Sequence, residues 1–237
     1  MEDRRKLIWL DREVRFEAAT IEGQFMKVGV DKMMREEDLN KNHLTIRSSA
    51  PYALNYLVFM QNIFENSRNI DNQRPLFPYV DSSKWGLLQG EEFKMTFRDV
   101  WDEAVNENMQ NCLYDHNGIL ELETKFYQRL FEDNDNGRFG FAESVKLFLS
   151  WWGGLYGQMA VERVCDNHIQ NIYWKLSESI KPIDDMTINR QLILNIVYEK
   201  PLYGGMMSSP WYSVLHIEDV FINWRELVAK LLDCCAD

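Results

Sequence analysis

Between Phe131 and Glu143 the chain runs Glu132-Asp133-Asn134-Asp135-Asn136-Gly137, a polar cluster set between two apolar stripes. Leu122, Phe126, Leu130 and Phe131 recur at helical spacing before it, and Val145, Phe148 and Leu149 do so after it. Asn, Asp and Gly reverse a chain cheaply, because their side chains bond nearby backbone or because glycine tolerates left-handed dihedrals. Two amphipathic stripes joined by such a turn constrain the middle of the chain to helix–loop–helix.

The spacing inside the turn carries a possible chemistry. In the twelve residues from Glu132 to Glu143, oxygen-bearing side chains stand at positions 1 (Glu132), 3 (Asn134), 5 (Asn136) and 12 (Glu143), with Gly137 at position 6 and Phe139 at position 8. A hard cation takes six to eight oxygens, and a short loop supplies them when alternate side chains turn inward and a late glutamate closes the sphere. This segment resembles the EF-hand calcium loop. The resemblance implies calcium held by Glu132, Asn134, Asn136 and Glu143, with the Arg138 carbonyl as the position-7 ligand. It departs from the family at position 1, where Glu132 replaces the usual Asp. EF-hands generally pair, and the two partner segments, Leu113–Thr124 and Lys181–Leu192, lack ligands at both ends. The alternative is a solvated Asn/Asp/Gly turn between helices.

Two other patterns bear on metal chemistry. Asn134, Asp135 and Glu143 superficially resemble the Asn-Asp-…-Glu motif of terpene cyclases. The distance to Glu143 is one residue too long, the motif's Ser is missing, and Gly137 and Gly140 disfavour a helix. Cys112/His116 and Cys165/His168 have spacings that share a helix face and together make a Cys2His2 zinc set, but such spacings arise easily by chance and Cys is commonly buried. There is no G-x-S-x-G and no P-loop, and His43 and His216 have no companion that suggests catalysis.

Charge narrows the partners. With 26 Lys and Arg against 37 Asp and Glu, the net charge is −11. That argues against binding nucleic-acid phosphates, where affinity comes from cations releasing counterions. It fits a cation or a basic protein partner. Apolar content of 46% and aromatic content of 13% support a packed core. Leu7–Leu10 is too short an apolar run for a signal peptide, and Leu147–Val161, broken at Gly153-Gly154, falls short of a membrane span. The expectation is an intracellular, cytoplasmic protein with reduced thiols.

Along the chain, helices are predicted over 4–38, from Pro51 to about Asn66, from Thr96 to about Tyr114, from about Leu120, over Phe141–Trp152, over Leu155 to about Ile180, from Thr187 to about Glu199, and over His216–Cys235. His43–Ile46 reads as a short strand or an extended linker, and the Gly204-Gly205 stretch as a surface turn. The fold expected is all-α, a multi-helix domain with an EF-hand-like helix–loop–helix. It divides either into an N-terminal helical segment (1–70) and a helical domain (71–237), or not at all. The function expected is a non-catalytic acidic binding or regulatory protein acting through a protein partner, with calcium at the loop. The alternatives are a metal-free inhibitor or assembly component docking on a basic protein, and a helical enzyme whose site is unrecognised.

Overall fold

The structure is a computed structural model and describes residues 44–68, 75–110, 124–181, 190–205 and 208–235. The helix expected over 4–38 lies outside them, as do Cys112, His116 and most of both partner segments considered for the loop.

The molecule is not all-α. Beside seven helices among the described residues stands a sheet in the order β1 (Leu44–Ser49), β2 (Arg190–Val197), β4 (Tyr212–His216), β3 (Ser208–Ser209). β2 runs parallel to both neighbours, with Ser49 opposite Asn195 and Ile193 opposite Tyr212. β3 only turns antiparallel onto the start of β4, through Trp211 at φ 62°. The fold is therefore mixed α/β. The sequence misled at 190–197 because a strand covered on both faces reads as a continuous apolar run, which periodicity cannot distinguish from a buried helix. Leu192, Leu194, Asn195, Ile196 and Val197 are all buried.

Around this sheet stand α1 (Tyr52–Arg68), α2 (Gly90–Gln110), α3 (Thr124–Gln128), α4 (Asp135–Trp152), α5 (Gln158–Ser179), α6 (Ile217–Phe221) and α7 (Trp224–Cys234). The helix expected over His216–Cys235 is thus two helices, broken at Ile222–Asn223.

The core is built on α1, in which every residue from Ala53 to Phe64 is buried. A helix enclosed all round must place its polar side chains against partners. Asn55 donates to the Ile196 carbonyl (3.0 Å) and accepts from the Tyr198 N–H (2.9 Å), tying α1 to the end of β2. Gln61 donates to the Lys200 carbonyl and accepts from the Leu202 N–H, and Asn62 donates to Glu199 (2.7 Å). These bonds hold the return from β2 to β4 along α1, and among its described residues there is no helix. The Gly204-Gly205 stretch is part of that return: the Trp101 indole donates to the Gly205 carbonyl (3.0 Å), and a Cβ on Gly204 would lie 2.4 Å from the Trp101 ring.

On another side of α1, Tyr56 and Phe59 meet Phe148 of α4, each at 5.4 Å between ring centres. The Tyr56 hydroxyl bonds Ser144 (2.7 Å), and burial pushes its pKa up. Phe64 stacks on Phe93 of α2 at 3.9 Å. β1 and α1, which precede the boundary considered at residue 70, share one core cluster with α2, α4, α5, β2 and β4. No helix among the described residues is long and apolar enough to cross a membrane.

Candidate functional site

The polar cluster at 132–137 forms the mouth of α4. Asn134 is the N-cap: its backbone is extended (φ −146°) and its side-chain oxygen accepts from the Gly137 N–H at 2.9 Å. Its amide nitrogen donates to Glu132 at 2.7 Å. An Asx cap satisfies a backbone donor that the first helical turn would otherwise leave unpaired. The helix therefore starts at Asp135, six residues before the start read from sequence at Phe141.

Three glycines make this start possible. Gly86 has φ +56°, and a Cβ there would lie 2.6 Å from the Gly137 nitrogen. A Cβ on Gly137 would sit 1.9 Å from the Glu132 carbonyl oxygen, and one on Gly140 would sit 2.1 Å from the Trp85 carbonyl oxygen. Gly140 thus opens a groove in α4 into which the Trp85 backbone presses, while Gly137, one turn earlier, makes room for the Glu132 backbone and lets Gly86 approach its nitrogen. Two backbone bonds clamp that segment: Glu132 N–H to the Gly86 carbonyl (2.7 Å) and Leu88 N–H to the Leu130 carbonyl (3.0 Å). In the sequence, the helix penalty of glycine counts against the terpene-cyclase motif. That reason fails, since both glycines are helical; the register and the missing Ser still stand against the motif.

The five sequence-predicted ligand positions are not gathered around one point. Glu132 and Asn134 lie together before the helix, while Asn136, Arg138 and Glu143 lie within it. Asn136 and Glu143 are seven residues apart on α4, about 10 Å along the axis at 1.5 Å per residue. Side chains lean toward a helix N-terminus, so Asn136 leans away from Glu143. Oxygens on one calcium ion lie within about 5 Å of each other, given metal–oxygen distances near 2.4 Å. The Arg138 carbonyl is inside the helix, where the repeating bond pattern assigns it to the backbone N–H four residues on. Glu143 faces Lys146 at 3.5 Å instead. These residues do not fit calcium in the EF-hand manner. Among the described residues no group of three or more His, Cys, Asp or Glu is placed to hold a metal.

What the cluster does build is a pair of clefts that meet at Gln89 and Glu132. The larger, about 600 Å³, is lined by Leu88, Gln89, Glu92, Thr96, Arg129, Phe131, Glu132 and Asp133. The smaller, about 400 Å³, adds Ser67, Ser82, Ser83, Gly86, Leu87 and Asn136 to the shared residues. Phe131 of the larger cleft and Leu87 of the smaller are paired by an antiparallel bridge.

The electrostatics of the larger cleft are one-sided. Arg129 forks onto Glu103 with both bonds at 2.8 Å. Arg138 takes Asp135 at 2.6 Å and reaches Asp133 at 3.7 Å. Lys94 bonds Glu91 and holds that carboxyl below its usual range. Arg129, Arg138 and Lys94 are thus committed, and no ion pair between described residues engages Glu92 or Glu132. Open carboxylates in a concave wall focus a negative field and attract a cationic side chain.

Gln89, Glu92 and Thr96 do not stand out in the sequence as site residues, because the capping pattern at Thr96 predicts the helix start there, six residues after its true start at Gly90. The signal was there in Gly90-Glu91-Glu92, acids in a first helical turn. Of the second zinc pair, Cys165 lies in the core and His168 is half-buried at its edge. Cys165 is buried, desolvation pushes its thiol up to about 12, and His168 packs on Phe221 at 5.0 Å.

No protein-family model, curated protein or solved structure matches the chain.

Proposed function

We propose that the chain is a non-catalytic, metal-free interaction protein that receives a basic segment of a partner protein in the cleft between Glu92, Glu132 and Asp133. The observation that carries this reading is the pair of carboxylates, Glu92 and Glu132, that line an open cleft with no cation paired to either among the described residues. Arginine is the side chain best suited to such a wall, since its planar fork donates to two carboxylate oxygens at once. Thr96 and Gln89 supply polar atoms beside the acids, and Leu88 and Phe131 supply an apolar floor for a side-chain stem. The net charge of −11 adds long-range attraction for a basic partner and governs the rate of encounter more than the affinity.

Calorimetry separates this reading from the calcium one. The chain is titrated with an arginine-rich peptide, with calcium, and with magnesium as control, beside Glu132→Gln and Glu143→Gln. Peptide heat that weakens about tenfold in Glu132→Gln and not in Glu143→Gln supports the cleft; tenfold corresponds to about 1.4 kcal/mol, the scale of one charge-assisted bond. Saturable calcium heat near one equivalent, lost in Glu143→Gln, overturns the metal-free reading. Peptide heat indifferent to Glu132 overturns the cleft as its site.

A further inference from the structure

We draw no further inference here: the strongest candidate, the exposed aromatic patch where Phe77 lies on Trp151 and Tyr198 with exposed Tyr79 beside it in the chain, carries nothing because nothing in the structure shows what covers it.

Discussion

Gly140→Ala tests the glycine groove that positions the candidate site. In a helix whose surface is free, alanine is favoured over glycine by about 1 kcal/mol. Here the new methyl carbon would lie 2.1 Å from the Trp85 carbonyl oxygen, 2.5 Å from its Cβ and 2.7 Å from its carbonyl carbon. Ordinary contact needs at least about 3.4 Å, so α4 and the 85–87 segment must part by roughly 1 Å. The neighbour is backbone, clamped by the Glu132–Gly86 and Leu88–Leu130 bonds, and cannot swing aside as a side-chain tip would. Overpacking of this kind costs about 1–3 kcal/mol. With the upper part of that range set against the propensity gain, the expected net loss is about 2 kcal/mol. For a chain of this length that is a fall in Tm of about 4–8 °C. Gly205→Ala is the control, since a Cβ there meets nothing within 4 Å, and it should change stability by less than about 0.5 kcal/mol. The assay is urea unfolding followed by tryptophan fluorescence and far-ultraviolet circular dichroism. A stabilised Gly140→Ala would refute the groove and place Gly140 on an open helix face.

The cap gives a second test: Asn134→Ala should cost about 0.5–2 kcal/mol in the same assay, while Asn134→Ser keeps a cap acceptor, sets no second carboxylate against Glu132 and keeps most of the stability. A third concerns His216, whose pKa is lowered by burial against the pull of Asp219, Glu218 and Glu199. The unfolded chain takes up that proton near pH 6.5 and the folded one only at lower pH, so this contribution is complete above about pH 6.5 and is lost as pH falls toward the folded value. His216→Gln should flatten the fall in urea midpoint between about pH 7.5 and 5.5, and an unchanged slope would refute the assignment. Fourth, Cys165 is 1% exposed and its thiol stands near 12, so a neutral-pH thiol reagent should modify it only at the rate of unfolding. Modification of Cys165 in the native protein, read by peptide mass mapping, would contradict its placement.

Local signals in the sequence translated well where one face of a helix is apolar. The helix begun near Pro51 appears as Tyr52–Arg68, and the one read over Leu155 to Ile180 appears as Gln158–Ser179. What could not be read was burial on two sides. In α1 the polar Asn55, Gln61 and Asn62 look like a solvated face, yet they are buried and bond the 198–202 return, a partner about 140 residues away. The same holds for Arg190–Val197, whose apolar run signals enclosure without saying in which conformation. At the site, the Asn/Asp/Gly cluster was legible as a chain reversal before a helix. Its setting also depends on Trp85, which is distant in sequence and whose backbone leaves Gly140 no space for a Cβ, whereas Gly137 is closed off by the nearby Glu132 backbone. A glycine pair at i and i+3 marks such close approach when it falls in a helix, and marks a turn when it does not. Only the surroundings of α4 decide between them.

The cleft reading is tested most directly by where charge matters, not by how much is present. The measurement is fluorescence anisotropy of a labelled arginine-rich peptide at near-physiological salt, with two variants that each remove three acids. One neutralises Glu92, Glu132 and Asp133 in the cleft; the other neutralises the exposed Asp166, Glu226 and Asp233 on α5 and α7, which line neither cleft. Both change net charge equally, and charges farther than the screening length of about 8 Å contribute little at that salt. The account predicts that the cleft variant weakens binding by about tenfold or more, while the remote variant stays within about threefold of the parent. Equal loss in the two variants would contradict it, reducing the peptide's attraction to the diffuse field of an acidic protein.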